Sequence, residues 1–259
     1  MPMDRPALPA AFLHAPIAHR GYHDSTLGRP ENTRAAFRAA VAAGYGIELD
    51  VQLSADGQAM VFHDETLERM TGATGAVTLR TAAALGAIRL RDSDETIPTL
   101  AEVLAEVAGR VPVLIEIKDR HETLTQTDGT LEAAVAQALA GYGGPVALMS
   151  FNPASIAEMA RLAPHLPRGL TTDPFDPGDW STLPAATCNR LRAIPDYDTT
   201  GSVFISHQAA DLGSSQVARL RAAGAQVLCW TIRSPDAEAT ARRLAANITF
   251  EGYAAAIPA

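Results

Sequence analysis

The chain has 259 residues, and its 21 lysines and arginines against 29 aspartates and glutamates leave a formal charge of −8. That balance argues against a nucleic-acid binder, which needs a basic face to neutralise phosphates. An apolar share of 47% supplies enough core to exclude a disordered chain, and no apolar run approaches the ~18 residues that span a bilayer.

In chain order, short β-like runs alternate with amphipathic helical segments. Strands are predicted at 16–19, 46–52, 112–118, 146–150, 169–172, 202–206, 226–231 and 247–250. Several are the continuous apolar type expected when both faces are covered. Between the first two, Pro30-Glu31-Asn32-Thr33 precedes Ala36, Phe37, Ala40 and Val41 at helical spacing, with Gly44 to end the helix. Thr99 and Glu102 form a capping box ahead of Leu100, Val103, Leu104 and Val107. Asn152-Pro153 and Ser234-Pro235 each place a cap and then proline in a first turn, and Val217 with Leu220 before Gly224 marks another short helix.

Strand–helix alternation through the whole chain implies a parallel sheet, and eight strands at this length match a (β/α)8 TIM barrel. The alternative, a doubly wound open sheet, lacks its Gly-rich phosphate fingerprint after the first strand. Two stretches break the alternation. Residues 64–99 carry turn signals and read as an insertion over one end of the barrel. Residues 173–201 are rich in Pro and Asp with weak periodicity; loops of that length are often functional. The whole chain, 1–259, reads as one domain. Cys188 and Cys229 have no metal spacing and read as buried hydrophobes. The opening residues lack a signal-peptide pattern, so the expectation is a cytoplasmic protein with reduced thiols.

The chemistry gathers at strand ends. In Ile47-Glu48-Leu49-Asp50-Val51, alternation sends the apolar side chains outward to helices and Glu48 and Asp50 into the barrel. The third predicted strand repeats this, with Glu116 and Lys118 inward. Three acids near the C-terminal strand ends, where barrel enzymes hold their sites, suit a hard cation, Mg2+ or Ca2+. The competing reading is a buried ion-pair network with Lys118 and Arg20 as partners. His19 and His63 also end β-like runs. Either is a structural hydrogen-bonder, or the two form a proton-transfer pair, with Arg20 able to bind phosphate in a bidentate way. Trp230 is a pocket wall or core filling. His14, His23, His121 and His165 read as surface residues, and His207 as following the sixth strand.

His19-Arg20-Gly21, Pro30-Glu31-Asn32-Thr33, Glu48-Leu49-Asp50-Val51, Asp56-Gly57 with His63-Asp64 and Leu67-Glu68-Arg69, and Glu116-Ile117-Lys118 together resemble the glycerophosphodiester phosphodiesterase family. The similarity runs from Ile17 to about Glu251. It implies a barrel with an inserted segment after the second strand, at 64–111. It implies one divalent cation on Glu48, Asp50 and Glu116, acid–base roles for His19 and His63, and phosphate binding by Arg20 and Lys118. Glu31 is implied as a supporting residue, and Trp230 fits the seventh-strand region. The implied reaction hydrolyses a small-molecule glycerophosphodiester to sn-glycerol 3-phosphate and an alcohol. Thr249-Phe250-Glu251-Gly252 departs from the Thr-Asp and Pro that many members carry there.

Three other functions compete. A lysophospholipase D-like activity would need an apolar rim, and the chain has no Lys/Arg-rich amphipathic docking helix, so no stable membrane anchor is expected. A non-catalytic phosphate-ester binding barrel would lack a histidine or an acid, and all are present. A metal-dependent aldolase barrel would leave the two histidines without a shared task.

Overall fold

The computed structural model describes residues 5–120 and 123–258; His121 lies outside them. Among the described residues nine strands form in chain order: β1 (Ile17–Ala18), β2 (Gly46–Leu53), β3 (Ala59–Val61), β4 (Val113–Ile117), β5 (Val146–Ser150), β6 (Arg168–Thr172), β7 (Phe204–Gln208), β8 (Gln226–Ile232) and β9 (Asn247–Phe250). Eight of them pair in parallel in the order β1-β2-β4-β5-β6-β7-β8-β9, and β9 returns to β1, so the sheet closes into a barrel. The extra strand, β3, lies antiparallel on β2. It is a hairpin continuation that a strand–helix alternation does not anticipate.

Strand β7 is shifted by two residues from the predicted 202–206. Ser202 is held in the preceding turn, its amide donating to Tyr197 O (3.0 Å) and its hydroxyl paired with Thr200 Oγ1 (2.7 Å). His207 therefore lies inside the strand rather than after it.

Nine helices are described: α1 (Ala11–His14), α2 (Arg34–Ala43), α3 (Ala82–Gly86), α4 (Leu100–Val107), α5 (Thr130–Leu139), α6 (Pro153–Leu162), α7 (Ala185–Arg192), α8 (Ser215–Ala222) and α9 (Pro235–Ala241). Their starts follow from sequence. Thr33 Oγ1 accepts from Ala36 N in α2, and the Thr99–Glu102 capping box closes in both directions on α4. Asn152 caps α6 and Ser234 caps α9. Gly44 ends α2 at φ 76°, where a side chain would be strained.

Alternation along the strands then sorts the core into two layers. Ile47, Leu49 and Val51 of β2 and Val113, Ile115 and Ile117 of β4 pack outward with Phe37 of α2 and Leu100, Val103 and Leu104 of α4. Inside the barrel, Ile17, Leu114, Ala147, Phe204 and Leu228 form a second cluster, closed off by Leu8 and by Phe12 of α1. Full burial of each large side chain contributes about 1.5–3 kcal/mol. This apolar plug leaves the other end of the barrel, at the C-terminal strand ends, for polar groups. Residues 60–97 carry a small core of their own, built on Met60, Phe62, Leu67, Val77, Leu85, Leu90 and Ile97.

Both cysteines are free and buried, and burial pushes the Cys229 thiol up to about 12, as suits an inert packing residue. Among the described residues, no helix is long and apolar enough to cross a membrane.

Candidate active site

The parallel register of β2 and β4 sets Asp50 opposite Glu116 and Glu48 opposite Leu114. One carboxylate oxygen from each of Glu48, Asp50 and Glu116 comes within 4.8 Å of the others, and all three residues are buried. Among the described residues this is the only group of three or more such side chains that could hold a metal ion.

The turns after β1 and before α2 hold this cluster from one side. The Arg20 amide donates to Glu48 Oε2 (2.9 Å) and its Nε lies 3.3 Å from Asp50 Oδ2. Asn32 Nδ2 donates to Asp50 Oδ2 (2.9 Å). The two turns are tied by Asn32 N donating to Arg20 O (2.9 Å), with both residues in the left-handed region at φ 53° and 57°. Backbone strain of that kind persists only where surrounding contacts impose it. Between them Gly21 is at φ 81°, and a Cβ there would lie 2.9 Å from Ala36 Cβ. On the other side Lys118 Nζ lies 2.7 Å from Asp50 Oδ1 and 2.5 Å from Glu116 Oε1.

The ion-pair network foreseen as an alternative is therefore present, but it does not balance. Three buried carboxylates face two cations. Burial alone would raise Asp50, yet the charge and hydrogen bond of Lys118, with the charge of Arg20, hold it well below the usual range. Lys118, despite its burial, is raised by Asp50 and Glu116. Glu48 takes the deficit. Burial, and then the charges of Asp50 and Glu116, push it well above the ordinary carboxyl value. A clustered all-oxygen donor set with one uncompensated carboxylate fits a hard divalent cation such as Mg2+ or Ca2+.

Each strand-end histidine meets a carboxylate through Nδ1. His19 Nδ1 lies 2.5 Å from Glu251 Oε2, and its Nε2 is 4.0 Å from Glu48 Oε2. Burial lowers the His19 value, with the Glu251 hydrogen bond opposing it. His63 Nδ1 lies 2.7 Å from Asp64 Oδ1. Arg69 donates to Asp64 through Nε (2.6 Å) and Nη2 (2.9 Å) and reaches Glu31 (2.6 Å), which accepts from Arg20 Nη1 (2.8 Å). The segment after β3 is thereby wired to the turn after β1.

Sequence reasoning assigned no task to Asn32, Asp64, Arg69 or Glu251. Asp64 was findable, as the neighbour of a strand-end histidine. Glu251 was not, because its partner is 232 residues away. His23, read as a surface residue, has its Nε2 3.7 Å from Glu251 Oε2 and only a quarter of its side chain exposed, because the turn after β1 folds it over β9. His14 and His165 are exposed as expected. His207 is buried, bonded to Thr172 Oγ1 (2.8 Å) and Asp211 Oδ2 (3.1 Å), and does not join the cluster.

Trp230 is a wall of the site. Its Nε1 donates to Ser206 O (3.0 Å), and its ring meets Phe151 edge-to-face at 5.6 Å. A cavity of about 180 Å3 is lined by His19, Arg20, His63, Lys118, Trp230 and the three acids, among others.

The family model of the glycerophosphoryl diester phosphodiesterase family matches residues 19–249. The chain belongs to this family. A glycerophosphodiester phosphodiesterase of Caldanaerobacter subterraneus is 39% identical over 163 residues, 60% of this chain and 65% of the relative. Human glycerophosphodiester phosphodiesterase 1 is 36% identical over 73% of this chain and 55% of its own length. The chain thus spans less than two thirds of these family relatives. The structure of an Oleispira antarctica phosphodiesterase, in complex with its product sn-glycerol-3-phosphate, superposes with a TM-score of 0.72 at 27% identity, covering 93% of this chain and 94% of that one.

Proposed function

We propose that the barrel mouth hydrolyses glycerophosphodiesters to sn-glycerol 3-phosphate and an alcohol. One observation carries this reading: the acid triad and two carboxylate-bound histidines line one small cavity with Arg20 and Lys118. That set has acid–base groups, cations for phosphoryl oxygens and an anionic cluster short of one cation. Glu48, Asp50 and Glu116 would hold a divalent cation, Mg2+ or Ca2+, which when bound polarises phosphoryl oxygens and offsets their charge.

In this reading the protein's own groups do the rest. The Arg20 fork and Lys118 bind the phosphate and stabilise charge that builds on its oxygens. Glycerol diesters carry a hydroxyl next to the esterified carbon, placed for internal attack on phosphorus with a large proximity advantage over water. One histidine of the pair takes that proton at Nε2, and the other protonates the departing alcohol. Water then opens the cyclic phosphate with the roles reversed. Glu251 and Asp64 hold the Nδ1 protons, so that Nε2 of each ring is the atom that exchanges. Segment 64–111 is read as an insertion that reaches the site through Asp64, next to His63, with Arg69 behind it holding Asp64 and Glu31.

The test is a turnover screen of glycerophosphodiesters with Mg2+, with Ca2+ and with chelator, reading glycerol phosphate release. Metal-dependent release is expected. A loaded protein that hydrolyses none of them, or full activity in a verified metal-free sample, would sink the proposal. A substrate lacking the neighbouring hydroxyl separates the routes. If it is bound and cleaved as fast as its parent, internal attack is wrong.

A further inference from the structure

A second cavity, of about 740 Å3, lies against the small one, and His63, Glu116, Lys118, Phe151 and Trp230 line both. The small cavity holds both histidines and all three acids, whereas of these only His63 and Glu116 reach the larger one. The reacting glycerol phosphate belongs in the small one. The alcohol half of the substrate then has the larger space open to it, past Phe151 and Trp230.

The wall of that space comes from the stretch after β6 whose pattern fitted no helix or strand. Asp173 fixes it. Its Oδ1 accepts from Phe175 N (2.6 Å) and its Oδ2 from the Trp180 indole Nε1 (2.9 Å). Trp180 is held with its ring centre 5.2 Å from Phe151 and 5.2 Å from Phe175. Phe151, Trp180 and Trp230 thus present three rings to one cavity. Six carboxylates, Asp64, Glu65, Glu116, Asp119, Asp173 and Asp179, and one lysine, Lys118, line the same cavity among the described residues; Arg69 offsets Asp64 and Lys118 offsets Glu116, so the rings carry the selectivity and the acid rim adds to it. That lysine already contacts Asp50 and Glu116.

Aromatic faces carry negative potential and attract an organic cation, most strongly when it is poorly hydrated. The surrounding carboxylates add long-range attraction for a cation and repel an anion. A bare acyl chain would gain from the rings but would bring no charge to the acids.

Resting on the reaction proposed above, we propose that this cavity is the leaving-group subsite and selects glycerophosphodiesters whose alcohol carries an ammonium, a trimethylammonium above a primary amine. The methyl groups fill the ring-lined space, and the charge faces the acid rim.

The experiment compares kcat/KM for glycerophosphocholine, glycerophosphoethanolamine and glycerophosphoglycerol on the metal-loaded protein. The choline ester should exceed the glycerol ester by about tenfold, the scale of a cation on aromatic faces, with the difference mainly in KM. Trp180→Leu keeps apolar bulk but removes the ring, and should bring that ratio close to one; Trp180→Phe should restore most of it. A ratio near one in the parent protein, or a ratio that Trp180→Leu leaves unmoved, overturns the proposal. Competition on the parent protein needs no variant to fold. Choline should inhibit, and 3,3-dimethylbutan-1-ol, its uncharged carbon isostere, should inhibit at least ~10-fold more weakly. Equal inhibition by the two overturns the charge argument. Turnover of the glycerol ester separates the two readings: if that ester and the others are all inert, the reaction itself fails, whereas equal turnover of all three leaves the reaction standing and removes the subsite.

Discussion

His19 Nδ1 and Glu251 Oε2 lie 2.5 Å apart across the seam where β9 closes onto β1. A carboxylate can only accept, so the contact assigns the ring proton to Nδ1 and leaves Nε2 facing Glu48. Glu251 is itself held by Arg233 Nε at 2.7 Å. His63 with Asp64 and Arg69 repeats the same three-part arrangement, and its ring lines the same cavity. The two histidines are thus oriented by independent acids, one from the end of the barrel and one from the next residue in the chain.

The Glu251 contact predicts a signature in acid stability. The hydrogen bond from His19 holds the Glu251 carboxyl far below its ordinary value. A carboxyl depressed in the folded state contributes stability that is present above its unfolded pKa and lost as pH falls through the folded one. Thermal unfolding followed from pH 6 down to pH 3 should therefore show the parent losing stability more steeply than Glu251→Gln below about pH 4.5. Parallel curves for the two proteins would mean the carboxylate contributes nothing to the fold.

The charge deficit of the triad predicts stabilisation by a cation, readable without any turnover. A ligand that binds only the folded state at 100 times its Kd adds about 2.7 kcal/mol. The unfolding midpoint should rise with Mg2+ or Ca2+ and fall back with chelator. In Glu48→Gln the response should be strongly weakened, because the residue that carries the uncompensated charge is gone. A midpoint that ignores both cations in the parent would contradict the donor-set argument.

Loss of either histidine should cost at least ~100-fold in kcat, the usual scale for a positioned acid or base. His19→Ala and His63→Ala are the direct tests, with unfolding curves recorded alongside to exclude loss of the fold. Arg69→Ala should lower activity less, since it acts through Asp64 and Glu31 and not at the cavity itself. If either alanine variant retained full kcat, the proton-transfer pair would be reduced to one group.

The barrel and its acid cluster were legible for a physical reason. Alternation along a strand decides which way Glu48, Asp50 and Glu116 point, and it needs no knowledge of the rest of the molecule. What stayed hidden depended on closure. Glu251 meets His19 only because β9 pairs with β1, and His23 reaches Glu251 only because the turn after β1 doubles back. The run before His63 read as β-like, but its antiparallel pairing on β2 was not foreseen, because the three residues Ala59–Val61 are too short to carry a period. The stretch after β6 read as weakly periodic because Phe175, Leu183, Cys188 and Leu191 pack on a satellite cluster with Leu124 and not on a barrel strand.

The barrel interior makes one prediction that is independent of any ligand. Gly169 lies on β6 against Phe204 of β7, and a Cβ built there would come 2.5 Å from Phe204 O and 2.6 Å from its ring. Real side chains do not approach so closely, so glycine at this position is a packing requirement. Gly169→Ala must move β6 or tilt the Phe204 ring, and Phe204 is fully buried in the interior cluster with Leu114, Ala147 and Leu228. Overpacking of this kind costs typically 1–3 kcal/mol. For a domain of this size each kcal/mol lowers Tm by about 2–4 °C. The ring contact can be relieved by Phe204→Leu, whereas the carbonyl contact cannot. The double variant should therefore recover part of the loss, a non-additivity that marks residues in contact. Strict additivity of the two substitutions in denaturant unfolding would mean that the strand yields and the ring does not.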